Sequence, residues 1–210
     1  MITRRSLQRT GFVLLAAFVV MAAGCATNVP FDFFQDGYKP HGGSIAVVSG
    51  GTDETDTKLA EYVTKSLQEK STLKVLSQAE VGRRAGKYPV NIKTAEPKDS
   101  NKPVWLAQGE KAKVDAMHGA VKTDYVLVVW VAGLSRYTSR NSVSYGASII
   151  GNLFEYSPGK AVGYSDFGRS RSQSCFLFGG SEGKDIEALL RGSAEDLADD
   201  LTSRTKTAKK

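Results

Sequence analysis

The chain has 210 residues, of which 41% are hydrophobic and 24% charged, with a formal net charge of +6 and two cysteines. That length is enough for one domain with a proper core, and two cysteines are too few for a disulfide framework. The charge does not argue for nucleic acid: Arg4, Arg5 and Arg9 belong to an N-terminal segment whose loss leaves about +3.

Those arginines form a positive n-region, followed by an uncharged run over 11–23. The run is shorter than the roughly 20 apolar residues needed to cross a hydrocarbon core. It ends in small residues, the build of a secretory h-region with its cleavage site. Ala22, Ala23 and Gly24 supply the small side chains that a peptidase requires beside the scissile bond. Ala22-Ala23-Gly24-Cys25 resembles the lipobox of bacterial lipoproteins, with Ala22 standing where Leu is usual. The resemblance implies cleavage before Cys25, a diacylated thiol and an often acylated new amine. Ala26, which is not Asp, implies the periplasmic face of the outer membrane rather than inner-membrane retention. Two or three acyl chains anchor stably where one binds only marginally. The competing readings are a plain secretory cut and an uncleaved membrane anchor. With Cys25 lipidated, Cys175 has no partner in the chain, and its apolar setting in Ser174-Cys175-Phe176-Leu177-Phe178 reads as a small buried hydrophobe.

The expected organisation is a cleaved signal peptide at 1–24, lipidated Cys25 with a tether at 25–43, a globular domain at 44–204 and a basic tail at 205–210. The tether holds Pro30, Pro40 and Gly42-Gly43 and no hydrophobic period. Phe31, Phe33 and Phe34 interrupt it, and either dip into the lipid interface or pack back onto the domain. The domain opens with Ser44-Ile45-Ala46-Val47-Val48-Ser49, a β-branched run that reads as a buried strand. Gly50-Gly51 breaks it. Thr52 or Asp53 is placed to cap a helix through Lys70, with Glu54 and Asp56 favourable near its N-terminus and Leu59, Val63 and Leu67 on one face. Leu73 to Leu76 reads as a second strand and Gln78 to Ala85 as a short helix. Residues 86–103, with three prolines and no apolar period, read as a long loop. Val104 to Val121 reads as a helix weakened by Gly109 and Gly119.

Tyr125 to Val131 is the strongest strand signal, apolar on both faces and so central and doubly covered. Val143 to Leu153 alternates like a half-buried strand. Ser157-Pro158-Gly159-Lys160 is a tight turn into a return strand over 161–171, with 174–178 as a further short strand, either separate or continuous with it across a bulge. The last helix runs from about Lys184 to Arg204 with Ile186, Leu189, Leu190, Leu197 and Leu201 as its buried stripe.

The order β-α-β-α-α-β-β-β-α predicts an α/β (mixed α+β) domain. It has a single mixed sheet built from two early βα units and a later antiparallel hairpin, with covering helices. The segments "SIAVVSGG", "LAEYVTKSL", "LKVLSQAEV", "GAVKTDYVLVV" and "PGKAVGYSDF" resemble, as a pattern over 44–170, the superfamily of the penicillin-binding-protein activator LpoB and the curli-export lipoprotein CsgG. The resemblance implies an anticodon-binding-domain-like fold and a periplasmic domain that binds protein on an envelope machine. No pair of long alternating hairpins is legible, so a pore is not expected.

Chemistry is sparse. Gly179-Gly180-Ser181-Glu182-Gly183 matches a G-x-S-x-G elbow, but His41 and His118 both precede Ser181, and a serine without a base is a poor nucleophile. Ser49-Gly50-Gly51-Thr52 before a helix offers backbone N–H groups to an anion, though it lacks the P-loop lysine and Asp53, Glu54 and Asp56 oppose phosphate. Gly50, Gly51 and Thr52 therefore stand as a possible ligand or partner loop. No metal, cofactor or catalytic residue is expected. Glu195-Asp196 and Asp199-Asp200 read as a solvated face. Arg136, Arg140, Arg169 and Arg171 lie near strand ends, either scattered or gathered for an acidic partner or anionic glycan. The favoured function is a non-enzymatic, membrane-anchored envelope lipoprotein that binds a protein and supports envelope assembly or cell-wall enzymes. The alternative is a small-ligand or glycan-binding module.

Overall fold

The structure, a computed structural model, describes residues 27–33, 43–92, 108–138, 142–156, 161–176 and 182–207. In chain order the elements are β1 (Thr27–Phe33), β2 (Ser44–Ser49), α1 (Glu54–Lys70), β3 (Lys74–Val75), α2 (Gln78–Ala85), α3 (Gln108–Val121), β4 (Tyr125–Thr138), β5 (Ser142–Tyr156), β6 (Ala161–Phe176) and α4 (Glu182–Thr207). The strands form one sheet of order β1-β6-β5-β4-β2-β3. β2 is parallel to both β3 and β4, and every other pairing is antiparallel. This is the expected mixed sheet with two early βα units.

The first half of β4 must be covered on both sides, because Tyr125 to Trp130 are all buried. One face sets Val47, Leu127, Ile149 and Leu153 against Leu59, Val63 and Leu67 of α1 and Leu189, Leu197 and Leu201 of α4. The other sets Val48, Val128, Trp130 and Ile150 against Val81 of α2, Ile92, and Val114, Met117 and Val121 of α3. Alternation along each strand divides its residues between the two layers. The Nζ of Lys70 lies 2.9 Å from an Asp199 carboxylate oxygen, bridging α1 and α4 at their exposed rim.

Three expectations need correction. Within the stretch read as tether, Thr27–Phe33 is a strand, paired antiparallel with β6 from Thr27 opposite Ser172 to Phe33 opposite Asp166. Pro30 hid it, yet proline is tolerated on an edge strand. Of the two readings of the return strand, the continuous one holds: β6 runs from Ala161 to Phe176. β4, β5 and β6 span 14, 15 and 16 residues, so long hairpins are present after all. The helix expected from Val104 is described from Gln108, 104–107 lying outside the described residues, and the last helix continues to Thr207 rather than ending near Arg204.

β4 outlives its partner. β2 ends opposite Val129, at Ser49. Past it, the Val131 amide donates to Asp56 Oδ1 at 2.8 Å. Asp56 is 1% exposed, so this carboxylate in the first turn of α1 is a buried acceptor that takes over the ladder where β2 stops. The β4–β5 register shifts between Val131 and Gly133, directly after that bond. Asp56→Ala should destabilise the domain by about 1.5–3 kcal/mol, the scale for a hydrogen bond to a charged group. Asp56→Asn, which keeps an acceptor, should cost less. Urea unfolding of both variants measures this, and equal losses would make the charge rather than the acceptor the stabilising element.

Candidate functional site

Cys25 and the cleavage residues Ala22, Ala23 and Gly24 lie outside the described residues, as do Ser181, His41 and Arg140. The described candidates are the Gly50-Gly51-Thr52 loop, the arginines of the long strands, and His118.

The loop after β2 is closed by backbone pairing. The Gly50 amide donates to Val129 O at 2.7 Å, and the Gly50 carbonyl accepts from the Ile92 amide at 2.8 Å. Ser49 Oγ donates to Gly51 O at 2.6 Å. A Cβ at Gly50 would lie 2.9 Å from the Trp130 ring, so glycine is required here by close approach. Asp53 occupies the N-cap position of α1 without a capping hydrogen bond from its side chain. The geometry gives Gly50 a packing role, with both its backbone groups committed to the sheet and the segment beyond α2.

That segment also differs from the expected loop. Ile92 is fully buried, and Tyr88 and Val90 pack against the same core layer. β3 leaves the sheet after two residues, and side chains continue its ladder along β2. Gln78 Nε2 donates to Val47 O at 2.8 Å and to Thr64 Oγ1 at 2.7 Å. The Ser49 amide donates to the Tyr88 hydroxyl at 2.8 Å, and that hydroxyl donates to Gln78 Oε1 at 2.8 Å. Burial pushes the Tyr88 phenol up to about 12, against the bond from Ser49. Sequence reasoning missed Gln78 and Tyr88, because a glutamine in the first turn of a short helix carries no local sign of burial.

At the opposite end of β2, Ser44 and Asp124 clamp the starts of two parallel strands. The Ser44 amide and hydroxyl donate to Asp124 Oδ2 at 2.7 and 2.8 Å, and the Asp124 amide donates back to Ser44 Oγ at 3.1 Å. The Ser44 backbone bond, then its hydroxyl, holds the Asp124 carboxyl below its ordinary range. Nearby, His118 of α3 stacks on Tyr156 with centroids 3.6 Å apart, and the Tyr156 hydroxyl donates to Asp115 Oδ1 at 2.8 Å. Burial and that bond raise the Tyr156 phenol. His118 thus serves an aromatic stack between α3 and the end of β5.

Beside α4 an open depression of ≈ 520 Å³ is lined by Lys184, Glu187, Ala188, Arg191, Gly192 and Glu195. Glu187 Oε1 there accepts from Tyr62 at 3.0 Å and from Arg191 at 2.9 Å, while the Arg191 guanidinium lies 5.1 Å from the Tyr62 ring centroid. Among the described residues no group of three or more His, Cys, Asp or Glu is placed to hold a metal. The described arginines fall on two strands, β4 and β6, on either side of β5: Arg136 is opposite Tyr145, Arg171 opposite Ala147 and Arg169 opposite Ile149.

No family model matches the chain, and no curated protein does. Among solved structures it is similar to a PelC dodecamer subunit from Paraburkholderia phytofirmans, at 13% identity, 85% of this chain, 98% of that one and a TM-score of 0.47. A hypothetical protein, CT253, from Chlamydia trachomatis is similar at 10% identity over 79% and 99%, with a TM-score of 0.47. Lipoprotein GNA1162 from Neisseria meningitidis is similar at 16% identity over 76% and 99%, with a TM-score of 0.40. Likeness at this level transfers no function.

Two outcomes follow from the buried and rim networks. Tyr88→Phe strands the Ser49 amide and Gln78 Oε1 and should cost about 1–3 kcal/mol in urea unfolding. Gln78→Leu should cost a similar amount, and the double variant less than the two added, since both belong to one network. For Asp124 the native pKa is depressed, so its contribution is complete above the unfolded value of about 3.9 and is lost as pH falls through the native one. The melting-temperature gap between the native chain and Asp124→Asn should therefore be constant near neutrality and close below about pH 4. A gap independent of pH would show that the clamp does not depend on the carboxylate charge.

Proposed function

We propose that this chain is a membrane-anchored envelope lipoprotein, without catalysis of its own, whose periplasmic domain binds another protein and supports envelope assembly or a cell-wall enzyme. The carrying observation is Ala22-Ala23-Gly24-Cys25 at the end of a basic-then-apolar leader. Its residue types are those a signal peptidase and an acylating enzyme need at that spacing. The anchor sits on the periplasmic face of the outer membrane, by the same resemblance. No helix among the described residues is long and apolar enough to cross a membrane, so the proposed attachment runs through lipid on Cys25. The description of a protein-binding module rests on the pattern shared with the LpoB and CsgG superfamily and on loops whose backbone groups are spent on the fold.

The intact mass of the N-terminal peptide from membrane-extracted protein tests the anchor. A peptide beginning at Cys25 and carrying diacylglycerol, with or without a third acyl chain, is expected, and Cys25→Ser should leave the chain unlipidated and released by washing. An unmodified peptide starting elsewhere would overturn the lipoprotein reading. Pull-down from solubilised membranes should then return a stoichiometric protein partner. A ligand-dependent melting shift with no partner would replace protein binding by small-ligand or glycan binding.

A further inference from the structure

The strand register carries the anchor to a particular end of the molecule. β1 pairs with β6 so that Thr27 is opposite Ser172, Ser172 is opposite Gly146, and Gly146 is opposite Ser135. The first residue of β1 is thus level with the outer half of β4, beyond the last residue that β2 covers. Cys25 precedes Thr27 by two residues, which reach at most ~7 Å at roughly 3.3–3.6 Å each. A lipid on Cys25 is consequently tied within a short reach of that end of the sheet.

The same end has an unusual surface. Leu134, 47% exposed, and Tyr137, 71% exposed, are the exposed large hydrophobic side chains of the described residues, and both lie on it. Arg136 stands between them, exposed, with its guanidinium 6.0 Å from the Tyr145 ring centroid. Arg171 and Arg169 occupy the neighbouring register levels on β6. Over 132–138, 142–148 and 168–176, the outer stretches of these three strands, there is no Asp or Glu. Carboxylates resume in the first turn of α1, where Asp56 takes the Val131 amide and Glu54 is paired with Lys58, and on α4, where Glu187 is paired with Arg191. Leu134 and Arg136, opposite Ala147 and Tyr145, share one face of the sheet and Tyr137, opposite Ser144, lies on the other, so an end-on approach beside a lipid anchor is what offers both apolar side chains to the acyl boundary and the arginine to phosphate headgroups.

We propose that the outer end of the β4–β5–β6 sheet rests on the anionic membrane surface, with Tyr137 and Leu134 entering the interface and Arg136 on lipid phosphates. The inference builds on the lipoprotein reading above. Across the sheet, β1 and β4 are three strand spacings apart, about 14 Å at roughly 4.8 Å each. Anchor and Tyr137 therefore contact the bilayer at two separated points, which stops the domain from swinging about a single tether. The opposite end, with the Ser44–Asp124 clamp and the C-terminus of α1, points away from the membrane toward a partner.

The test uses the full lipidated chain reconstituted into vesicles of phosphatidylethanolamine and phosphatidylglycerol, with lipids brominated on the acyl chain as quenchers. Two variants are compared, Tyr137→Trp at the proposed contact and Glu69→Trp at the far end, each sharing the native tryptophans as background. Strong bromolipid quenching of the first variant's added fluorescence and none of the second's is expected. Arg136→Gln placed on Tyr137→Trp should shift the quenched population at low salt by roughly fivefold, the scale for one arginine at an anionic surface. Equal quenching of both variants, or of neither, in a chain that still floats with the vesicles would overturn the orientation and leave the anchor standing. A chain that neither floats nor carries acyl chains by mass would overturn the anchor and this proposal together. Shielding of the added tryptophan that rises with protein concentration and ignores bromolipid would assign the surface to a second copy instead.

Discussion

The structure depends on one requirement of β4: its first six residues must be hidden on both faces, and its last six are exposed. A doubly apolar strand is stable only between two layers. α1 and α4 form one layer, while α2, α3 and the segment ending at Ile92 form the other. Gly50 must be small because Trp130 fills the second layer directly beneath it. Gly151 is constrained from the first, where an added Cβ would stand 3.0 Å from Leu197 Cδ1. The helices hold the inner half of the sheet between them, and the outer half continues beyond as strands held chiefly by one another.

Strands of unequal length leave unpaired backbone groups, and three side chains resolve them. Asp56 accepts from β4 where β2 ends, while Gln78 and Tyr88 serve β2 where β3 ends. Each is polar and positioned by a neighbouring helix or turn, so ladder and helix packing become one cooperative unit. A buried backbone amide left unpaired costs about as much as a lost hydrogen bond and more. These three polar side chains are therefore structural.

Elements with a clean period were legible from the residues. Ser44–Ser49, the leucine stripe of α1 and the run from Tyr125 announce themselves by β-branched density or by spacing. α2 was read as a short helix over Gln78 to Ala85, and the structure caps it with Ser77, whose Oγ accepts from the Glu80 amide at 3.2 Å. The Glu80 carboxylate goes to Arg83 and Arg84, whose hydrogen bonds hold it down to about 2. β1 was not legible, because Pro30 and Asp32 break any alternation and its pairing is set by β6, far along the chain. The outer half of β4 was missed for a related reason: Gly133, Ser135 and Arg136 remove the hydropathy that marks the inner half, and only pairing with β5 defines it. Of the candidate site, the reading of Cys25 rests on leader composition alone, and that residue lies outside the described ones. Gln78 and Tyr88 were not legible, because burial of a polar side chain is a property of the tertiary neighbourhood.

The short β3 has a further consequence. A six-residue strand with an open outer edge would present unpaired N–H and C=O groups to any other chain with an exposed edge. By placing Gln78 on Val47 O and Tyr88 on the Ser49 amide, the fold fills that edge with groups that cannot propagate a ladder. The two side chains are a guard against edge-to-edge aggregation along this stretch of β2. Lengthening β3 to a regular strand would gain hydrogen bonds and give up that protection.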